Sequence, residues 1–106
     1  MDKKVRQIIN KFHGQVSALY GERLERVVIF GSQARGDAMP DSDIDVLIVL
    51  KHPFDYLTES NSISECVATL SLQHNVVISC AFSTKEQFSS QNNGFFRNIR
   101  KEGITL

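Results

Sequence analysis

At 106 residues, with 12 basic and 12 acidic side chains, the chain has length for one small core and carries no net field. That balance disfavours sequence-independent nucleic-acid binding, which draws on clustered positive charge, and the 42% hydrophobic and 23% charged composition is that of a globular rather than a disordered protein. No run approaches the roughly 18 apolar residues of a membrane span, and the opening MDKKVRQIIN lacks the apolar stretch of a signal peptide, so a cytoplasmic protein without a membrane segment is expected.

Val5, Ile8, Ile9, Phe12, Val16 and Leu19 recur at helical spacing, so the first 20 residues read as an amphipathic helix that Gly21 can end. RVVIF (26–30) reads as a short buried strand, and SQARGDA as a brief helix starting at Ser32. MPDS is a loop punctuated by Pro40, and DIDVLIVL (43–50) a second strand. Pro53 opens a longer helical region with Ile63, Val67 and Leu70 on one face, and Ser62 with Glu65 matches a capping box inside it. NVVISCAF (75–82) is a third strand. Ser83 with Glu86 matches a second capping box before a short helix near TKEQF. QNNG is a turn, and FFRNIRKEG a last helix with Gly103 as its stop. The pattern holds no repeat and no linker, which points to one α/β domain over residues 1–106, a small sheet covered by helices.

Cys66 and Cys80 lack CxxC spacing and read as small buried hydrophobes. A zinc site combining them with His52 or His74 fits no known ligand spacing.

The most informative stretch is FGSQARGDAMPDSDID (30–45). Alternation along a strand puts Asp43, Asp45, Leu47 and Val49 on one face, with the two aspartates about 6–7 Å apart at their α-carbons. Aspartate is a poor strand former and two such carboxylates repel, so a divalent cation is the natural compensation. Mg²⁺ is commonly held by one or two carboxylates, with substrate phosphates completing its shell. The bland alternative is a solvated acidic loop at a strand edge. Gly31 and Ser32 follow a strand and open a helix, where backbone N–H groups bind anions and glycine lets a phosphate approach. Ser32 can cap that helix and donate to phosphate; the alternative is a plain turn with a serine cap. A P-loop is excluded because Asp37 stands where its lysine belongs, and no GxGxxG is present.

Gly31-Ser32, ten intervening residues and then Asp43-x-Asp45 resembles the signature of the DNA polymerase beta superfamily of nucleotidyltransferases. Within it, GSQARGDAMPDSDIDVLIVL, VVIS and FFRNIRKEG are similar to segments of the minimal nucleotidyltransferases, small domains often encoded beside a helical HEPN protein. The resemblance covers roughly residues 25 to 103. It implies a mixed three- to four-stranded sheet packed against helices, the palm-like nucleotidyltransferase fold. Gly31 and Ser32 would hold the terminal phosphates of ATP or another nucleoside triphosphate. Asp43 and Asp45 would bind Mg²⁺ or Mn²⁺, and a nucleoside monophosphate, AMP in the simplest case, would pass to an acceptor hydroxyl. Arg35, within the ARG run, would either approach phosphate or pair with Asp37 or Asp41. The implied acceptor is a HEPN-type partner protein silenced by an antitoxin transferase; self-oligomerisation is the other assembly considered.

One departure bears on catalysis. The family often carries a third carboxylate at the start of the next strand; here Asn75 occupies the corresponding place in HNVVIS. An asparagine oxygen can ligate a metal but cannot act as a base. His74 would point to the opposite face. The competing readings are therefore an active nucleotidyltransferase, a catalytically weakened nucleotide- or partner-binding domain, and a nucleic-acid-binding module using Lys3, Lys4, Arg6 and Lys11 or Arg97, Arg100 and Lys101. Phe95, Phe96 and Ile99 read as packing against their own sheet, with a partner contact as the alternative.

Overall fold

The computed structural model describes all 106 residues. Helix α1 spans Lys3–Tyr20, and a 3₁₀ turn at Gly21–Arg23 leads into β1 (Leu24–Phe30). Helix α2 (Gly31–Arg35) and a loop connect to β2 (Ile44–Leu50). Then come α3 (Tyr56–His74), β3 (Ile78–Thr84), α4 (Lys85–Ser90), α5 (Gly94–Glu102) and β4 (Ile104–Thr105). The strand order is β3-β2-β1-β4. β1 is antiparallel to both β2 and β4, and β2 is parallel to β3 with α3 as the crossover. The sheet is thus the small mixed one expected.

Strand alternation divides the core into two layers. On one face Val27, Ile29, Ile44, Val46, Ile48 and Leu50 pack against α1 and α3. On the other, Val28, Leu47 and Val49 pack against Phe96 and Ile99 of α5. β2 is buried on both faces, which is why its sequence is a continuous apolar run. Phe12 of α1 is 1% exposed, and Phe12→Ala at this position would cost about 3–5 kcal/mol.

The helix ends account for several departures from the sequence reading. Asp2 caps α1, its Oδ1 accepting from the Lys4 N–H at 2.6 Å. Gly21, with φ +55°, ends the helix as expected, but Tyr20 rather than Leu19 completes the buried stripe, and Leu19 is exposed. Helix α3 starts at Asp55, not at Pro53, because the Asp55 carboxylate accepts from both the Thr58 N–H and the Thr58 hydroxyl. The Ser62–Glu65 capping box does not form: Ser62 lies mid-helix and its hydroxyl donates to the Thr58 carbonyl. The second capping box forms one residue later than read, between Thr84 and Gln87 rather than Ser83 and Glu86. Ser83 is fully buried on β3 instead.

A carboxylate is buried between α3 and the 3₁₀ turn. Glu59 is almost inaccessible, and its Oε2 accepts from Arg23 Nη2 at 2.6 Å. Arg23 also lies over the Tyr20 ring. Burial, with Glu59 nearby, pushes the Tyr20 hydroxyl up to about 12.

Candidate active site

The site begins where β1 stops. Phe30 is still extended, but Gly31 adopts φ +70° and turns the chain into α2. A β-carbon at Gly31 would overlap the Asp45 carboxylate Oδ2. Glycine is therefore required twice, for its conformation and for the approach of the neighbouring strand. Helix α2 lasts one turn and ends at Gly36 in the left-handed region, with the Gly36 and Asp37 N–H groups both donating to the Ser32 carbonyl. Ser32 does not cap it. Phe30 holds the cap position without a side-chain bond, and the helix starts at Gly31, one residue earlier than read.

Asp45 is the second residue of β2, cross-strand partner of Phe30 on β1 and in register with Ser79 on β3. Ile44 turns into the α1–α3 core, so alternation aims Asp45 at the α5 side, where Gly31 lies. Asp43 precedes the strand by one residue and is exposed, a correction to the reading that placed both aspartates within it. They remain electrostatically coupled. Partial burial raises the Asp45 carboxyl above the ordinary carboxylate range, the Asp43 charge raises it further, and Arg35 partly opposes the shift.

Arg35 has its own partners. Its Nε donates to Asp37 Oδ2 at 3.2 Å and its Nη1 lies 3.8 Å from Glu102 Oε2. The ion pair with Asp37 was one of the alternatives read from sequence; Glu102, brought in by α5, was not foreseen.

Asn75 is not where the sequence reading put it. Helix α3 runs through His74, and Asn75 is its left-handed C-cap with φ +54°, three residues before β3 begins. Asparagine tolerates that conformation, and the Val76 N–H closes the turn onto the Ser71 carbonyl. The side chain in register with Asp45 on β3 is that of Ser79. The apolar VVI run reads as strand, which concealed that β3 begins only at Ile78.

The donor set bears on a metal. No group of three or more His, Cys, Asp or Glu side chains converges in the structure. Two coupled carboxylates remain at Asp43 and Asp45, the second raised by its partial burial and then by the charge of the first. These are hard oxygen donors in too small a number for a closed cage, a set that fits Mg²⁺ or Mn²⁺ sharing its ligands with a phosphate substrate. The cysteines take no part: both are half-buried against the core, and the Cys66 thiol donates to Gln15 Oε1 at 2.7 Å.

Comparisons with known proteins agree with this geometry. The model of the nucleotidyltransferase domain family matches residues 9–104. A candidate protein adenylyltransferase of Methanocaldococcus jannaschii, MJ0604, is 37% identical over 99 residues, covering 92% of this chain and 93% of that one. Among solved structures, a candidate nucleotidyltransferase from Sulfolobus solfataricus superposes with a TM-score of 0.68 at 22% identity, covering 96% of this chain and 80% of the other. A toxin–antitoxin structure containing AMP-PNP gives a TM-score of 0.62 at 15% identity, over 90% of this chain and 69% of that one. The last two establish the fold. The family match, which takes in Gly31, Asp43 and Asp45, shows that this chain belongs to the nucleotidyltransferase domain family.

Proposed function

We propose that the chain transfers AMP from ATP to a hydroxyl group on a partner protein. The observation that carries this reading is the apposition of Gly31 and Asp45, a phosphate-accessible turn against one of two coupled carboxylates. The turn's backbone N–H groups and Ser32 would hold the β- and γ-phosphates. Asp43 and Asp45 would hold Mg²⁺, which when bound neutralises triphosphate charge. The acceptor oxygen then forms a bond to the α-phosphorus as the bond to the pyrophosphate oxygen breaks. Pyrophosphate leaves and the hydroxyl proton passes to solvent. Such transfer depends on positioning and charge neutralisation more than on covalent catalysis by the protein.

A protein acceptor is favoured over a free small molecule for two reasons. The carboxylates stand at an open sheet end where Asp43 is exposed, so a large acceptor can bring its own walls. The relative at 37% identity is also named for protein adenylylation. A HEPN-type helical toxin is the partner we infer, in keeping with the toxin–antitoxin structures that share the fold. A second reading, nucleotide binding with little turnover, is supported by Ser79, which supplies a hydroxyl where a third carboxylate would stand.

The test mixes the purified chain, labelled ATP, Mg²⁺ and the protein encoded beside it. Label on the partner that disappears with Asp45→Ala is expected. Labelling of an aminoglycoside or an RNA end with the partner untouched would refute the acceptor. Equal ATP affinity with and without EDTA would refute the metal.

A further inference from the structure

A second surface adjoins Gly31. It is a cleft of about 170 Å³ whose walls include Phe30, Gly31, Phe95 and Asn98. Helix α5 builds one wall. Its first turn is capped by Asn93, whose Oδ1 accepts from the Phe96 N–H at 3.0 Å. Phe96 and Ile99 are buried against Val28, Leu47 and Val49, which fixes the rotation of the helix. That rotation leaves Phe95 at 46% exposure, with Asn98 three residues further on along the same stripe. The Phe95 ring meets two others at nearly right angles, Phe30 at 5.6 Å and 81° and Phe96 at 5.2 Å and 84°. An exposed phenylalanine packed against two others is a rigid platform.

We infer that this cleft seats the nucleobase of the bound nucleotide, stacked on Phe95, with the Asn98 amide reading the base edge. This rests on the nucleotidyl-transfer reading above and adds to it the part of the substrate that the phosphate turn cannot recognise. The occupant follows from continuity. Phe30 and Asp45 are cross-strand partners, so the aromatic wall lies one strand spacing from the carboxylate. Gly31 lines the cleft and is also the phosphate turn, so a ligand holding its phosphates there extends its base either toward Phe95 or into solvent. Stacking on an aromatic face tolerates any base. The Asn98 amide supplies one donor and one acceptor, the complement of the adenine N6/N7 edge.

Calorimetry with Mg²⁺ compares ATP and inorganic tripolyphosphate as ligands of the intact chain. Phe95→Ala is expected to weaken ATP about tenfold and to leave tripolyphosphate unchanged. Phe95→Leu retains most of the packing and guards against a folding defect. With that variant the fluorescence of 1,N⁶-etheno-ATP, quenched by stacking on the wild-type ring, should recover. Asn98→Ala should narrow the preference for ATP over CTP. Wild-type binding of ATP with both Phe95 variants unaffected, or equal losses for ATP and tripolyphosphate, would overturn the base seat while leaving the transfer reading intact. A wild-type chain that binds neither ligand would overturn both.

Discussion

Gly31 and Asp45 approach so closely across the β1–β2 pairing that no side chain fits at position 31. The contact joins the turn proposed to hold phosphate directly to the carboxylate proposed to hold the metal, without an intervening residue. It also predicts that the two positions fail together. Gly31→Ala meets both a left-handed backbone, costing about 1–3 kcal/mol, and the Asp45 carboxylate. Asp45→Ala in the same chain removes the second penalty but not the first. In a double-mutant cycle by urea denaturation, the double variant should be more stable than the sum of the single effects allows. Strict additivity would mean that the carboxylate moves aside at no cost.

Asp45 itself should be a stability liability without metal. Its carboxyl is raised by burial and by Asp43, so the folded chain binds its proton more tightly than the unfolded one. Below the ordinary carboxylate range both states are protonated and nothing is lost. As pH rises through the raised value the penalty accumulates, and it is fully present at neutrality. Asp45→Asn in EDTA should therefore raise the melting temperature at pH 7, with the gain vanishing at low pH. Solvent screening limits the gain to below about 1 kcal/mol, which is at most about 4–8 °C in a chain of this size. A lower Tm at pH 7 for the asparagine variant would contradict the assignment.

The Arg23–Glu59 pair should behave differently. Arg23→Ala leaves the nearly inaccessible Glu59 carboxylate without its cation and should destabilise the fold by roughly 1–3 kcal/mol. Glu59→Leu combined with Arg23→Ala should recover much of that loss, because no buried charge is then stranded. Guanidinium midpoints of the three variants decide it, and a double variant no better than Arg23→Ala would count against the burial argument.

Ser79 and Asn75 make opposite predictions. A carboxylate at Ser79 stands in register with Asp45, so Ser79→Asp should tighten Mn²⁺ binding several-fold and raise any transferase rate. Asn75→Asp, at the end of α3, should leave both unchanged. Manganese titration followed by electron paramagnetic resonance separates the two. A gain from Asn75→Asp alone would restore the first assignment.

The parts legible in sequence were those set by short-range spacing. The stripe from Val5 to Val16, the apolar run of β2 and the Gly31-Ser32 turn all depend on neighbours within a few residues. Cap positions were less legible because adjacent residues carry the same chemistry: Ser83 and Thr84 each have a Glu or Gln three residues on, and the structure chose the one whose predecessor was buried. β4 spans two residues, too few to show a period, and exists because the Ile104–Thr105 backbone meets β1. The Asp45–Ser79 register, the Arg35–Glu102 contact and the Phe95 cleft depend on how distant segments pack, which no local pattern records.

The two thiols offer a practical opening. Burial, with Cys66 nearby, pushes Cys80 up to about 12, and burial raises Cys66 as well, so both remain protonated and sluggish toward electrophiles near neutral pH. A cysteine introduced at an exposed position, such as Ser90 at the end of α4, would carry an ordinary thiol and should capture a maleimide dye well ahead of the native pair. Mass spectrometry of the labelled peptides would show the selectivity. The natural sequence thus suits site-specific fluorophore attachment without prior removal of its own cysteines, and a dye at that position would test for docking of the proposed partner from outside the Gly31-Ser32 turn.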